Sequence, residues 1–96
     1  MSWEERTKLL IGEQGINKLT NSKVLVVGLG GVGAYAAEQL ARAGVGSLTL
    51  VDADIVEETN INRQLIALHS TIGKPKTNIL ADRIKDINPN IQLDLV

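Results

Sequence analysis

The residues with the plainest chemical meaning are six in a row, Gly28-Leu29-Gly30-Gly31-Val32-Gly33. They lie between a β-branched apolar run, Lys23-Val24-Leu25-Val26-Val27, and a stretch of helical apolar spacing from Val32 to Ala43. In that setting Gly28 permits a tight turn, Gly30 lets the backbone approach a phosphate, and Gly33 lets helix and strand pack closely. The helix start then offers free N–H groups and the positive end of its dipole to an anion. A plain strand-to-helix turn needs one glycine and this one has four, so Gly28, Gly30, Gly31 and Gly33 are expected to line a phosphate. Asp52 follows Gly33 by 19 residues, at the end of a second apolar run from Ser47 to Val51. An acid in that position accepts a hydrogen bond from a ribose hydroxyl, and Asp54 could share that task or simply be a solvated strand end.

Up to this point an NAD site and an ATP site fit equally well. The next segment, Asn60-Ile61-Asn62-Arg63-Gln64 and then Gly73-Lys74-Pro75-Lys76, favours ATP. A dinucleotide's pyrophosphate is already neutralised by the glycine loop and helix end. A triphosphate carries more charge, which an Arg63 fork and a Lys76 point charge would manage while a nucleophile attacks the α-phosphate. The amides of Asn60, Asn62 and Gln64 would hold that fork or meet phosphate and ribose oxygens. Both cations fall at or near expected helix starts, where positive charge is unfavourable unless an anion is bound.

Such residues need elements to hold them. Residues 3–20 read as one or two short helices interrupted by Gly12 and Gly15, with Leu9, Leu10, Ile11, Ile16 and Leu19 as apolar positions. The runs 23–27, 47–52 and 91–96 read as strands, and 32–43 as a helix with Val32, Ala36, Leu40 and Ala43 inward, stopped by Gly44-Val45-Gly46. Residues 53–62 are expected as loop, 63–69 as a short helix, and 70–74 as loop again. Pro75 opens a helix running through Ile79, Leu80, Ile84 and Ile87, which Asn88-Pro89-Asn90 breaks. Strands alternating with helices imply right-handed crossovers and a parallel sheet. The expected fold is therefore α/β: Rossmann-like, three-layer, the first βαβαβ half over residues 23–96, preceded by an N-terminal helical segment over residues 1–22.

Composition narrows the function. The 96 residues carry a net charge of −1, two aromatics (Trp3 and Tyr35) and no cysteine. Disulfides, cysteine-held zinc and thiol nucleophiles are thus excluded within this stretch, and no clustered basic face suits a nucleic-acid backbone. No run could span a bilayer and no signal peptide opens the chain, so a cytoplasmic location without membrane contact is expected. The last strand ends without a cap, which reads as a truncated piece of a longer protein. A face bearing Ile91, Leu93 and Leu95 is expected to stand open, favouring association.

Several motifs taken in order, G-L-G-G-V-G, A-R-A-G-V-G-S-L-T-L-V-D-A-D, T-N-I-N-R-Q, I-G-K-P-K and I-N-P, resemble the ThiF/MoeB/HesA family, which includes the ubiquitin-activating enzymes. Within it, N-I-N-R-Q and the opening R-T-K-L-L-I-G-E-Q resemble the bacterial tRNA threonylcarbamoyladenosine dehydratase branch more than the N-L-Q-R-Q form of the molybdopterin and thiamine pathways. The resemblance implies a homodimer that binds Mg·ATP and transfers AMP to a carboxylate. The acceptor would be threonylcarbamoyladenosine in tRNA, followed by cyclisation, or else the C-terminus of a sulfur-carrier protein. It also implies that Asp52 binds ribose, that Asn60, Arg63 and Lys76 contact ATP, that Gln64 supports Arg63, and that Arg6 reaches the ATP of the neighbouring subunit. The family's Mg²⁺-binding aspartate would lie after the third strand, leaving no metal ligand expected here and no adenylation by these residues alone. Two other readings stand beside it: the nucleotide-binding half of an NAD-dependent oxidoreductase, and a nucleotide-binding fragment without catalysis.

Overall fold

The computed structural model describes residues 2–96. Its elements run α1 (Glu5–Thr20), β1 (Lys23–Val27), α2 (Gly31–Ala43), β2 (Ser47–Val51), two short 3₁₀ turns (Glu58–Asn60 and His69–Thr71), α3 (Lys76–Ile87) and β3 (Gln92–Leu95). The strands form one parallel sheet in the order β1-β2-β3, with Lys23 opposite Ser47 and Ser47 opposite Gln92. This is the α/β architecture expected from the alternation of runs.

Period-two alternation assigns the two faces of the sheet. Leu48 and Leu50 are buried, Val24, Val26 and Leu93 pack against the same core, and α2 and α3 cover them while touching each other. Both helices therefore share one face. On the other, Leu25 and Val27 stand exposed and no described element packs there. The expectation that Ile91, Leu93 and Leu95 would form the open face is corrected for two of them. Ile91 is buried and Leu93, registered with Leu48, packs against the core, whereas Leu95, registered with Leu50, is 43% exposed.

The inward face of α2 also differs from the expected one. Ala34, Ala37, Glu38 and Ala41 are buried, whereas Val32 is 84% exposed. Alanines let the helix lie close to the sheet, and of the expected positions Leu40 is half-buried and packs against the core. The helix ends at Gly44 in a left-handed conformation (φ 101°), whose N–H bonds back to Ala41 O. Asn88, buried beyond the end of α3, donates from Nδ2 to Ala41 O and Val45 O, tying that corner to the start of β3.

α1 is broken at Gly12 (φ 73°, ψ 177°) into two helical pieces and buries none of its residues. It joins the sheet at its last turn, where Leu19 O accepts the N–H of Gly46. No helix among the described residues is long and apolar enough to cross a membrane.

Candidate nucleotide site

The end of the sheet where β1 and β2 finish is built from backbone. Gly28 takes φ 82° and donates its N–H to Val51 O, so the chain turns sharply beside the end of β2. At Gly33 a β-carbon would lie 1.7 Å from Gly28 O, so this turn closes only on glycine. Gly30 is the N-cap of α2 and accepts the Gly33 N–H. The N–H groups of Gly30, Gly31 and Val32 meet no acceptor among the described residues, leaving a row of donors at a positive helix end.

Asp52 holds this loop in place. Its Oδ2 accepts the Leu29 N–H at 2.7 Å and its Oδ1 accepts the Asp54 N–H at 2.8 Å. The carboxylate thus bridges the glycine loop and the segment after β2, a contact that spacing alone did not reveal. Each oxygen retains a second lone pair, so a ribose hydroxyl can still be accommodated.

After Asp52 the chain makes a compact excursion clipped at its base. Ile55 bridges Pro75, Val56 exchanges backbone bonds with Lys74 and Gly73, and the Lys76 N–H donates to Asp54 O. The clip brings residues far apart in sequence onto one cleft, lined by Ala53, Asp54, Ile55, Glu57, Asn60 and Lys76. Asn60 is buried, and its Oδ1 accepts the Glu57 N–H at 2.9 Å, shaping the first 3₁₀ turn. Lys76 is the first residue of α3, only 6% exposed, and forms no ion pair or side-chain hydrogen bond among the described residues.

Other expected residues lie elsewhere. The helix expected over residues 63–69 does not form. The N–H groups of Arg63 and Gln64 both donate to Asn60 O, and the chain proceeds as tight turns to His69–Thr71. The argument that Arg63 opens a helix therefore falls, while the one for Lys76 holds. Arg63 is exposed on a second cleft with Glu58, Thr59, Ile61, Asn62 and His69. Its Nη1 donates to Thr59 O (3.1 Å) and Asn62 Oδ1 (2.9 Å), so Asn62 rather than Gln64 steadies it. Gln64 turns the other way. Its Nε2 would be 3.1 Å from a β-carbon on Gly30, and its Oε1 is buried without a partner. Arg6 follows the chain's docking point at Glu4, which sits with Gly44, Gly46, Asn88 and Ile91 before β2 and β3. That is the end of the sheet away from the glycine loop of the same chain. Among the described residues no three metal-ligating side chains gather.

Fold and site together define a Rossmann-like α/β domain: parallel strands, a glycine cradle at a helix start, an acid after β2, and a lysine facing a cleft beyond it. The ThiF family model matches residues 5–96, and the chain belongs to that family. It is 54% identical over 88 residues to the tRNA threonylcarbamoyladenosine dehydratase of Bacillus subtilis, covering 92% of this chain and 35% of that protein. With the molybdopterin-synthase adenylyltransferase of Escherichia coli it shares 46% over 79 residues, covering 82% and 32%. The crystal structure of the E. coli tRNA threonylcarbamoyladenosine dehydratase in complex with ATP superposes with a TM-score of 0.92 at 43% identity, over 98% of this chain and 40% of that one. The chain spans about a third of the length of the curated relatives it matches.

Proposed function

We propose that this chain is the ATP-binding part of an enzyme that adenylates a carboxylate, the acceptor being threonylcarbamoyladenosine in tRNA, which then cyclises with net loss of water. The observation that carries the reading is Lys76. A lysine at the first residue of a helix sets its charge against the positive end of the helix dipole, a modest cost, and this one forms no ion pair among the described residues and faces a cleft next to Asn60. An anion of high charge density would offset that cost. The free N–H groups of Gly30, Gly31 and Val32 supply a second set of contacts of the same sign.

In this reading Gly28, Gly30, Gly31 and Gly33 line the phosphates, Asp52 takes the ribose, and Asn60 and Lys76 hold the phosphate chain. Arg63, carried on the neighbouring cleft by Asn62 and Thr59, stabilises charge as pyrophosphate leaves. Arg6 acts on the ATP of a second copy. The acceptor carboxylate attacks the α-phosphorus, the bond to pyrophosphate breaks, and an acyl-adenylate results. Mg²⁺ accompanies ATP. The described residues offer it Asp54 but no built site, so no step is assigned to it. Adenylation of a sulfur-carrier C-terminus is the second reading, favoured by the similarity to the molybdopterin-synthase adenylyltransferase.

The test is ATP–pyrophosphate exchange by the full-length protein with tRNA carrying threonylcarbamoyladenosine supplied as the acceptor, together with separate binding titrations of ATP and NAD. Lys76→Met is expected to lower exchange by at least about 10-fold, the scale of one lost charge-assisted hydrogen bond, and Arg63→Ala by a similar factor. Exchange unchanged in both variants, or binding of NAD in place of ATP, would overturn the assignment.

A further inference from the structure

Two helices begin at the candidate site, and one buried carboxylate joins them at matching depth. α2 starts at Gly31 in the glycine cradle, and α3 starts at Lys76 on the cleft. Glu38 lies about two turns into α2, and Arg83 about two turns into α3. The helices are in contact, and Arg83 Nε donates to Glu38 Oε1, while Arg42 Nε lies 3.7 Å from Glu38 Oε2. Glu38 is 6% exposed, yet it occupies the inward stripe of α2 with Ala34, Ala37 and Ala41. An apolar residue would pack there without the cost of burying a charge. The hydrophobic effect is non-directional, whereas an arginine–carboxylate contact is directional and helps to fix one helix along the other.

We propose that Glu38 and Arg83 are positioning residues that set the axial register of α3 against α2, and so the distance between Lys76 and the free N–H groups of the glycine cradle. The inference rests on the reading of this site as an ATP site. A shift of α3 by a fraction of a turn would carry Lys76 away from a phosphate held by Gly30 and Gly31. Neither residue of the pair need touch the nucleotide.

The experiment is ATP titration by calorimetry on the full-length protein, well below the melting temperature of each variant, together with a double-mutant cycle. Arg83→Met is expected to weaken ATP binding about 10-fold, and Arg83→Lys to recover part of it. If the pair acts through Lys76, Lys76→Met with Arg83→Met loses no more than Lys76→Met alone. Should Arg83→Met fail to fold, Glu38→Gln keeps the volume and serves in the same cycle. A lower melting temperature with unchanged ATP affinity, or losses that simply add in the double variant, overturns the inference. Failure of the unsubstituted protein to bind ATP overturns the nucleotide reading itself, and this inference with it.

Discussion

Gly33 and Gly30 are three residues apart in one loop, yet they answer to different demands. A β-carbon at Gly33 would collide with the carbonyl oxygen of Gly28, a backbone atom that cannot move without opening the turn. At Gly30 it would meet only the tip of Gln64, which can swing aside. Gly33→Ala is therefore expected to cost about 1–3 kcal/mol or more of stability, seen as a melting temperature lower by several degrees. Gly30→Ala should leave the melting temperature nearly unchanged and weaken ATP binding, because its methyl group pushes Gln64 aside next to the row of free N–H groups. Equal thermal losses in the two variants would contradict this division. The glycine spacing was legible in the sequence, and so was the acid at Asp52. That Asp52 also clamps the Leu29 and Asp54 N–H groups was not, because a bond across 23 residues depends on how β1 and β2 end side by side.

At the scale of elements, the corner joining α2 to β3 depends on one side chain. Asn88 Nδ2 serves two carbonyls at the exit of α2, one of which, on Ala41, also takes the Gly44 N–H. Asn88→Ala leaves the Val45 carbonyl without that donor in a buried place, at an expected cost of about 1–3 kcal/mol. A urea midpoint unchanged from the parent would show that the corner holds without it. Strands, α2 and α3 were all foreseeable from periodicity, since buried parallel strands read as apolar runs and helices as spaced ones. The excursion after β2 was not. Its path is set by the clip of Ile55, Val56 and Lys76 with Pro75, Gly73, Lys74 and Asp54, a set of pairings that no local pattern encodes.

At the scale of the whole molecule, apolar surface remains uncovered, including two neighbouring pairs of side chains. Leu9 and Leu10 are more than three-quarters exposed on α1, and Leu25 and Val27 stand out from the bare face of the sheet. Patches of this kind draw a partner. The chain is therefore expected to associate as a dimer or larger species in light scattering, and Leu9→Asp with Leu10→Asp should reduce that association if α1 takes part. A monomer at high concentration would refute the expectation. Arg6 lies on the same arm, away from the glycine loop of its own chain, so its proposed action on ATP requires a second copy.

What the sequence determined by itself was local: where strands and helices form, that glycines shape a turn able to receive a phosphate, and that the chain resembles an ATP-using family. These depend on residue type and short spacing. Only the tertiary structure decided which cations share a cleft. Lys76 and Asn60 are brought together and buried, Arg63 is carried onto an adjacent cleft, and the segment that carries Arg6 docks through Glu4 at the far end of the sheet. The reason is physical: side chains meet through strand register, the closure of a long loop and the packing of α2 on α3, and each of these joins residues that the linear order keeps apart.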